Sequence, residues 1–210
     1  MKEKNVIPRI DFEPSFIYDR VWKELLVRTR SGKDYPSREE IFAYTRKMKA
    51  YWNKKKRGIL EEMALVTHLK WRRTEIPCFV VGAPRFASFS AFSHPLTMHI
   101  QDYQENPELF LKRLIHELVH NLFIDNPDLW PEDYLDKKYG PESFDTKAHI
   151  LVYALHVHIV DKYLNKKKNI VHTAEKHGYT RAWEIVKKEG YKNIIHDFVN
   201  YVEKKKHSNR

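Results

Sequence analysis

The residues of this chain best suited to chemistry are His116, Glu117 and His120, which form an H-E-x-x-H motif. In a helix, residues four apart lie one turn apart on the same face, so both imidazoles can reach a single zinc ion. Glu117 lies beside that pair, where its carboxylate can accept a proton from a water molecule. The spacing therefore predicts a zinc site with a general base next to it.

The context of the motif decides whether it is an accident of composition. The chain has 12 histidines among 210 residues, and its His and Glu frequencies give roughly 0.05 chance matches. Residues 106–108 (Asn-Pro-Glu) indicate a helix start with Asn as N-cap, and residues 125–127 (Asp-Asn-Pro) indicate its end. Between them, one apolar stripe recurs at helical spacing: Leu111, Leu114, Ile115, Leu118 and Leu122. This pattern favours a genuine metal-binding helix.

The elements that must position this helix indicate an α+β fold. Amphipathic helices are predicted over residues 16–30, from the Ser37 capping box to Tyr51, and over 59–69. Residues 1–15 are expected to be an irregular lead-in. We expect one domain over residues 1–210, whose parts are N-terminal helices in 1–75, the sheet and metal-site core in 76–163, and a helical tail in 164–210.

The sheet is expected directly before the motif helix. Strands are predicted at Pro77–Gly82, Phe86–Phe92 and Leu96–Ile100, which form a small three-stranded or slightly larger sheet packed against helices. After the motif helix we expect a loop carrying Trp130, Tyr134 and Tyr139. A second long helix over residues 142–163 and the helical C-terminal tail follow this loop.

Catalytic zinc needs a third protein ligand and an open position, and the second long helix is the expected donor. His149 lies in an otherwise apolar stretch, where an imidazole needs a partner. Glu142 lies at the helix start, where a carboxylate also complements the helix dipole. We predict His149 as the third ligand and keep Glu142 as the alternative. Glu142 or Asp145 would orient a ligating histidine.

Two further residues of this helix are candidates to stabilise a reaction intermediate. Tyr153 and His156 follow His149 on the same face, and either could donate a hydrogen bond to an oxyanion. Ordinary helix packing is the alternative interpretation of both. The strand Leu96–Ile100 could border the cleft and pair with an extended peptide.

This arrangement resembles the zincin metallopeptidases, in which a strand, an H-E-x-x-H helix, a loop and a second ligand-bearing helix follow one another. In their gluzincin branch the third ligand is a glutamate, and residues 142–144 (Glu-Ser-Phe) are similar to its setting. Pro141 and Thr146 stand where that branch has Asn and Asp. The similarity covers residues 76–163, and only H-E-x-x-H is specific. The resemblance implies a zinc-dependent metallopeptidase that hydrolyses peptide bonds by metal-activated water, with Glu117 as general base.

The charge of the chain raises an alternative. A net charge of +10 and a pI near 9.5 are also typical of nucleic-acid-binding proteins. Much of the excess lies in three basic runs at predicted helix ends, which favours solvated helix termini over a binding groove: Lys54–Arg57, Lys166–Lys168 and Lys204–Lys206. The alternatives are therefore a nucleic-acid-binding protein with a structural or vestigial metal site, and a helical interaction module in which the motif is accidental.

Composition bounds the remaining properties. Cys78 is the single cysteine, which excludes an internal disulfide and fits a reducing compartment. No apolar run approaches the ~20 residues that a membrane helix requires. We therefore expect a cytoplasmic protein with a peptide or protein substrate and no membrane partner.

Overall fold

The computed structural model describes five stretches of the chain: residues 6–29, 35–83, 91–100, 106–164 and 177–208. The fold is α+β, as predicted. By its internal contacts the chain divides into two compact units, and the boundary in the motif helix falls after Leu118. One unit comprises Ile7–Arg57 and Arg73–Leu118, and the other comprises Met1–Val6, Gly58–Arg72 and Val119–Arg210. The expectation of a single domain over residues 1–210 stays a prediction.

The first unit contains a four-stranded mixed sheet. Its strands are β1 (Arg9–Pro14), β2 (Glu75–Gly82), β3 (Phe92–Ser93) and β4 (Leu96–Ile100). Their order is β1-β2-β4-β3, in which β1, β2 and β4 run parallel and β3 is antiparallel to β4. Helix α1 (Phe16–Thr29) packs on β2, and helix α2 (Arg38–Asn53) packs on β1 and β2.

The prediction of an irregular lead-in was wrong for residues 9–14, which form β1. Ile10 and Phe12 are each 4% exposed and alternate with more exposed charged neighbours. They pair in parallel with Ile76 and Cys78 of β2. Two alternating apolar positions are a weak local signal for a strand. The hydrogen bonds that make this segment a strand come from residues more than sixty positions away in the sequence. The predicted strand Phe86–Phe92 falls mostly on residues 86–90, which lie outside the described residues, and Phe92 opens β3.

A buried carboxylate joins the end of β2 to α1. Asp19 Oδ1 accepts hydrogen bonds from the Tyr35 hydroxyl at 2.6 Å and from the Gly82 backbone N–H at 2.7 Å. The backbone at Gly82 lies so close to Tyr35 that a Cβ added there would be 2.6 Å from the tyrosine ring. A larger residue at this position would therefore have to displace the Tyr35 side chain, which glycine avoids.

The second unit is helical. In its described residues it contains most of α3 (Lys56–Thr67), the end of α4 (Pro107–Ile124), a short 3-10 helix (Pro127–Leu129), α5 (Glu132–Tyr139), α6 (Phe144–Tyr163), α7 (His177–Glu189) and α8 (Tyr191–Ser208). Helix α6 packs against α5, α7 and α8. The predicted loop at 130–139 was wrong in part, because Glu132–Tyr139 is helical. None of the helices in the described ranges is long and apolar enough to cross a membrane.

An ion cluster links α3 to α6. The Glu62 carboxylate lies 2.8 Å from His158 Nε2 and accepts a hydrogen bond from Lys162 Nζ at 2.6 Å. Burial alone would raise the pKa of Glu62, but the bonds from Lys162 and His158 outweigh burial and hold this pKa below its usual value. The charged form of Glu62 is therefore the form that joins the two helices.

Candidate metal centre

The motif helix α4 forms where the sequence predicts it. Asn106 Oδ1 accepts the backbone N–H of Glu108 at 3.2 Å, and the Asn106 carbonyl accepts that of Leu109 at 3.1 Å. The helix ends at Ile124, directly before the predicted Asp-Asn-Pro stop. Its apolar stripe is fully buried, at 0% exposure for each member: Leu111, Leu114, Ile115, Leu118 and Leu122. This burial fixes the rotation of the helix and hence the direction of the motif residues.

Three histidines converge on one point. His116 and His120 lie one turn apart on α4, and His149 comes from α6. One ring nitrogen from each lies within 4.8 Å of the other two. The rings of His120 and His149 meet edge to face, with centroids 5.4 Å apart. A tetrahedral zinc with Zn–N bonds of about 2.0–2.1 Å separates its nitrogen ligands by roughly 3.3 Å, and three imidazoles are a donor set that zinc accepts.

The protonation of the cluster suits metal binding. Burial lowers the pKa of His120 to about 4, and the neighbouring His149 lowers it further. His120 is therefore neutral at pH 7, which is the form that binds a metal. His149 Nδ1 lies 2.9 Å from the carbonyl oxygen of Asp145. Because a carbonyl only accepts hydrogen bonds, Nδ1 carries the proton and Nε2 keeps the lone pair that a metal requires.

The expected base, Glu117, is 8% exposed and lies three residues before His120 on the same helix. Burial raises its pKa to about 8, and the charge of Arg113 one turn earlier opposes this rise. Without a bound cation the carboxyl group is therefore mostly protonated at pH 7, whereas a general base must be ionised before it can accept a proton. A cation held by the histidines would favour its ionised form.

No protein-family profile, curated protein or solved structure matches this chain. The assignment of a function therefore rests on the residues and the geometry of the chain itself.

The alternative third ligand, Glu142, lies just before α6 and is bound to Arg181. The guanidinium donates to its two carboxylate oxygens from Nη2 at 2.8 Å and from Nε at 3.1 and 3.2 Å. Helix α6 begins two residues later than predicted, with Ser143 as its N-cap. Asp145 is one of the two residues expected to orient a ligating histidine, and its backbone carbonyl oxygen lies 2.9 Å from His149 Nδ1. The structure thus brings His149, rather than Glu142, to the motif histidines.

The two oxyanion candidates are both buried on α6. Tyr153 is 2% exposed, and its ring centroid lies 5.8 Å from that of His149. Burial raises the pKa of its hydroxyl, so the hydroxyl remains a hydrogen-bond donor at neutral pH. His156 is 3% exposed and lies one turn beyond Tyr153. The role of either in stabilising an oxyanion stays a prediction.

Sequence reasoning missed Tyr179, the second residue after the start of α7. Its ring centroid lies 4.0 Å from that of His149. No local pattern identifies this residue, because the contact depends on how α7 packs against α6. Residues 165–176, which connect the two helices, lie outside the described residues.

The C-terminal basic run is largely neutralised by neighbouring acidic groups. Lys205 Nζ lies 3.0 Å from an Asp133 carboxylate oxygen. Lys206 contacts Glu203 at 3.5 Å and donates to the His68 carbonyl at 2.7 Å. These contacts favour helix-end solvation over a nucleic-acid groove for this run. The run Lys166–Lys168 lies outside the described residues.

Proposed function

We propose that this protein is a zinc-dependent metallopeptidase in which His116, His120 and His149 hold the metal and Glu117 is the general base. The convergence of three histidine nitrogens within 4.8 Å is the observation that carries the proposal. His149 comes from a helix separate in sequence from the motif. An accidental motif gives no reason for a third histidine at this point.

The proposal agrees with the zincin resemblance in the motif and in the order of strand and helices. It departs from the gluzincin branch because the third ligand is a histidine instead of a glutamate. Zinc bound here supplies Lewis-acid chemistry, since it polarises a carbonyl oxygen and acidifies water.

The protein residues have separate tasks in this mechanism. His116, His120 and His149 would hold the zinc ion through their ring nitrogens, and three protein ligands would leave room for a reactant. Glu117 accepts a proton from the attacking water and passes it to the leaving amine nitrogen. The Asp145 carbonyl holds His149 in the tautomer that presents Nε2. The buried surroundings of Glu117 exclude bulk water from the proton-transfer step.

The decisive test combines metal content with cleavage. Chelator-treated protein is reloaded with zinc, and its metal content is compared with that of His149→Ala and Glu142→Gln. We expect the first variant to lose zinc and the second to retain it, because Glu142 is already bound to Arg181.

Cleavage is measured on a library of fluorescence-quenched peptides, with the products identified by mass spectrometry. Glu117→Gln should retain zinc and lose cleavage, since the amide cannot accept the proton. If the zinc-loaded wild type cleaves no peptide, the proposed peptidase activity is refuted. If Glu117→Gln cleaves as fast as wild type, Glu117 is not the base.

A further inference from the structure

The first two turns of α7 pack against the segment of α6 that carries the third ligand. Thr146, which is 2% exposed, donates from its hydroxyl to the Gly178 carbonyl at 3.2 Å. The Gly178 backbone is so close to α6 that an added Cβ would lie 2.7 Å from Asp145 Cβ and 3.4 Å from Thr146 N. These contacts bring the start of α7 against the turn whose carbonyl binds His149.

The residues that follow Gly178 extend this contact. Tyr179 lies on the His149 ring, with centroids 4.0 Å apart and an interplanar angle of 48°. Arg181 binds Glu142 just before α6, and Trp183 meets the Tyr153 ring edge to face at 5.9 Å. Helix α7 thus contacts residues that precede His149 in the sequence and residues that follow it.

An imidazole has two torsions to fix before it can serve as a ligand. The hydrogen bond to the Asp145 carbonyl restrains one ring nitrogen of His149, but it leaves the ring free to rock about that bond. The Tyr179 ring, packed at 4.0 Å, restrains this remaining motion. Metal affinity depends on such restraint, because residues that orient a ligand lower the entropy lost when the metal binds.

We propose that Tyr179 is a positioning residue for the third ligand and that Gly178 permits its approach, so that α7 sets the affinity of the metal centre. This inference rests on the proposed zinc site and assigns a role that the motif does not contain. The aromatic ring of Tyr179 is the group that packs on the His149 ring and positions it. The conservative variant Tyr179→Phe should therefore behave like wild type.

The test measures zinc affinity of the full chain by competition with a chromophoric chelator. Tyr179→Leu should weaken zinc binding about 10- to 100-fold, the usual effect of removing a residue that orients a ligand. Gly178→Ala should also weaken binding, because its Cβ pushes α7 away while Tyr179 is retained. The matched control is Tyr191→Leu, which removes a tyrosine packed on a different α6 histidine, His158, at 6.1 Å; it should bind zinc like wild type.

A spectroscopic signature separates positioning from a general loss of packing. In cobalt-substituted protein, Tyr179→Leu should alter the visible ligand-field bands, whereas Tyr179→Phe and Tyr191→Leu should leave them unchanged. If Tyr179→Leu does not fold, Gly178→Ala carries the test. If Tyr179→Leu and Gly178→Ala both have the zinc affinity and spectrum of wild type, the inference is overturned but the proposed function is not. If the wild type binds no zinc, the proposed function and the inference both fail.

Discussion

The most quantitative prediction concerns His99, a buried histidine of β4 outside the motif. His99 is 4% exposed, and neither ring nitrogen has a hydrogen-bond partner among the described residues. Its ring stacks on Trp22, with centroids 5.1 Å apart and planes inclined by 20°, and it meets Phe92 edge to face. Burial lowers the pKa of His99 to about 4, and the nearby charge of Arg113 acts in the same direction.

The sign and size of the effect on stability follow from linkage. In the unfolded chain His99 has its ordinary pKa of 6.5, so the unfolded state binds the extra proton between pH 6.5 and 4. The free energy of unfolding should therefore fall as the pH is lowered through this window. The loss of unfolding free energy caused by His99 is about 1.4 kcal/mol near pH 5.5 and approaches about 3 kcal/mol near pH 4, since each pH unit changes it by about 1.4 kcal/mol.

The perturbation is His99→Phe, which preserves an aromatic ring against Trp22 and removes the titrating group. Urea unfolding of chelator-treated protein is followed from pH 7 to pH 4 for both proteins. The pH dependence of wild type should exceed that of the variant by the amount calculated above. His120 titrates in the same range, but it is common to both proteins and cancels in the difference. Equal pH dependence of the two proteins, or an NMR titration of His99 with a midpoint near its ordinary pKa, would refute the reasoning.

Three further predictions use other contacts of the structure. Glu142→Gln should change zinc affinity and the unfolding free energy little, because its partner Arg181 is solvent exposed. Isothermal titration measures the affinity, and thermal unfolding measures the stability. Loss of zinc binding in this variant would make Glu142 a ligand. Gly82→Ala should lower the unfolding free energy by about 1–3 kcal/mol, a typical cost of overpacking, because the new Cβ meets Tyr35; unchanged urea unfolding would contradict this close approach. Glu62→Gln should lower the free energy of unfolding at pH 7. The difference in this free energy between wild type and variant should vanish as acid protonates Glu62 below its lowered pKa. A stability difference that persists in strong acid would disprove the role of the Glu62 charge.

The sequence predicts those helices whose capping residues and apolar pattern lie within one short stretch of the chain. The capping box at Ser37 is present, with both of its reciprocal hydrogen bonds to Glu40. The motif helix begins at Pro107 and buries its apolar stripe. In both cases the residues that cap a helix and the residues that face the core lie within a few positions of one another, so a single stretch of sequence contains the whole signal.

Elements that depend on distant partners are less accessible to sequence reasoning. Strand β1 contains two alternating apolar residues and becomes a strand through pairing with β2. Helix α5 is a short polar helix whose buried residues, Tyr134, Leu135 and Tyr139, fit a loop with aromatic anchors equally well. For segments this short, tertiary contacts decide the conformation.

The candidate site divides in the same way. The motif gives His116, Glu117 and His120 directly, because one helix carries all three. The third ligand required a choice between His149 and Glu142, and helical spacing is compatible with either. The pairing of Glu142 with Arg181 and the packing of Tyr179 on His149 both involve α7, whose placement no local pattern contains. The geometry that favours His149 therefore becomes visible only in the folded chain.

The central claim is that three histidines form one zinc centre, and the zinc content of purified protein tests it most directly. After chelator treatment, reloading with zinc and removal of excess metal, elemental analysis should find one zinc ion for each wild-type chain. His149→Ala treated in the same way should retain far less. A wild type that retains no zinc, or a His149→Ala variant that retains as much as wild type, would contradict the account.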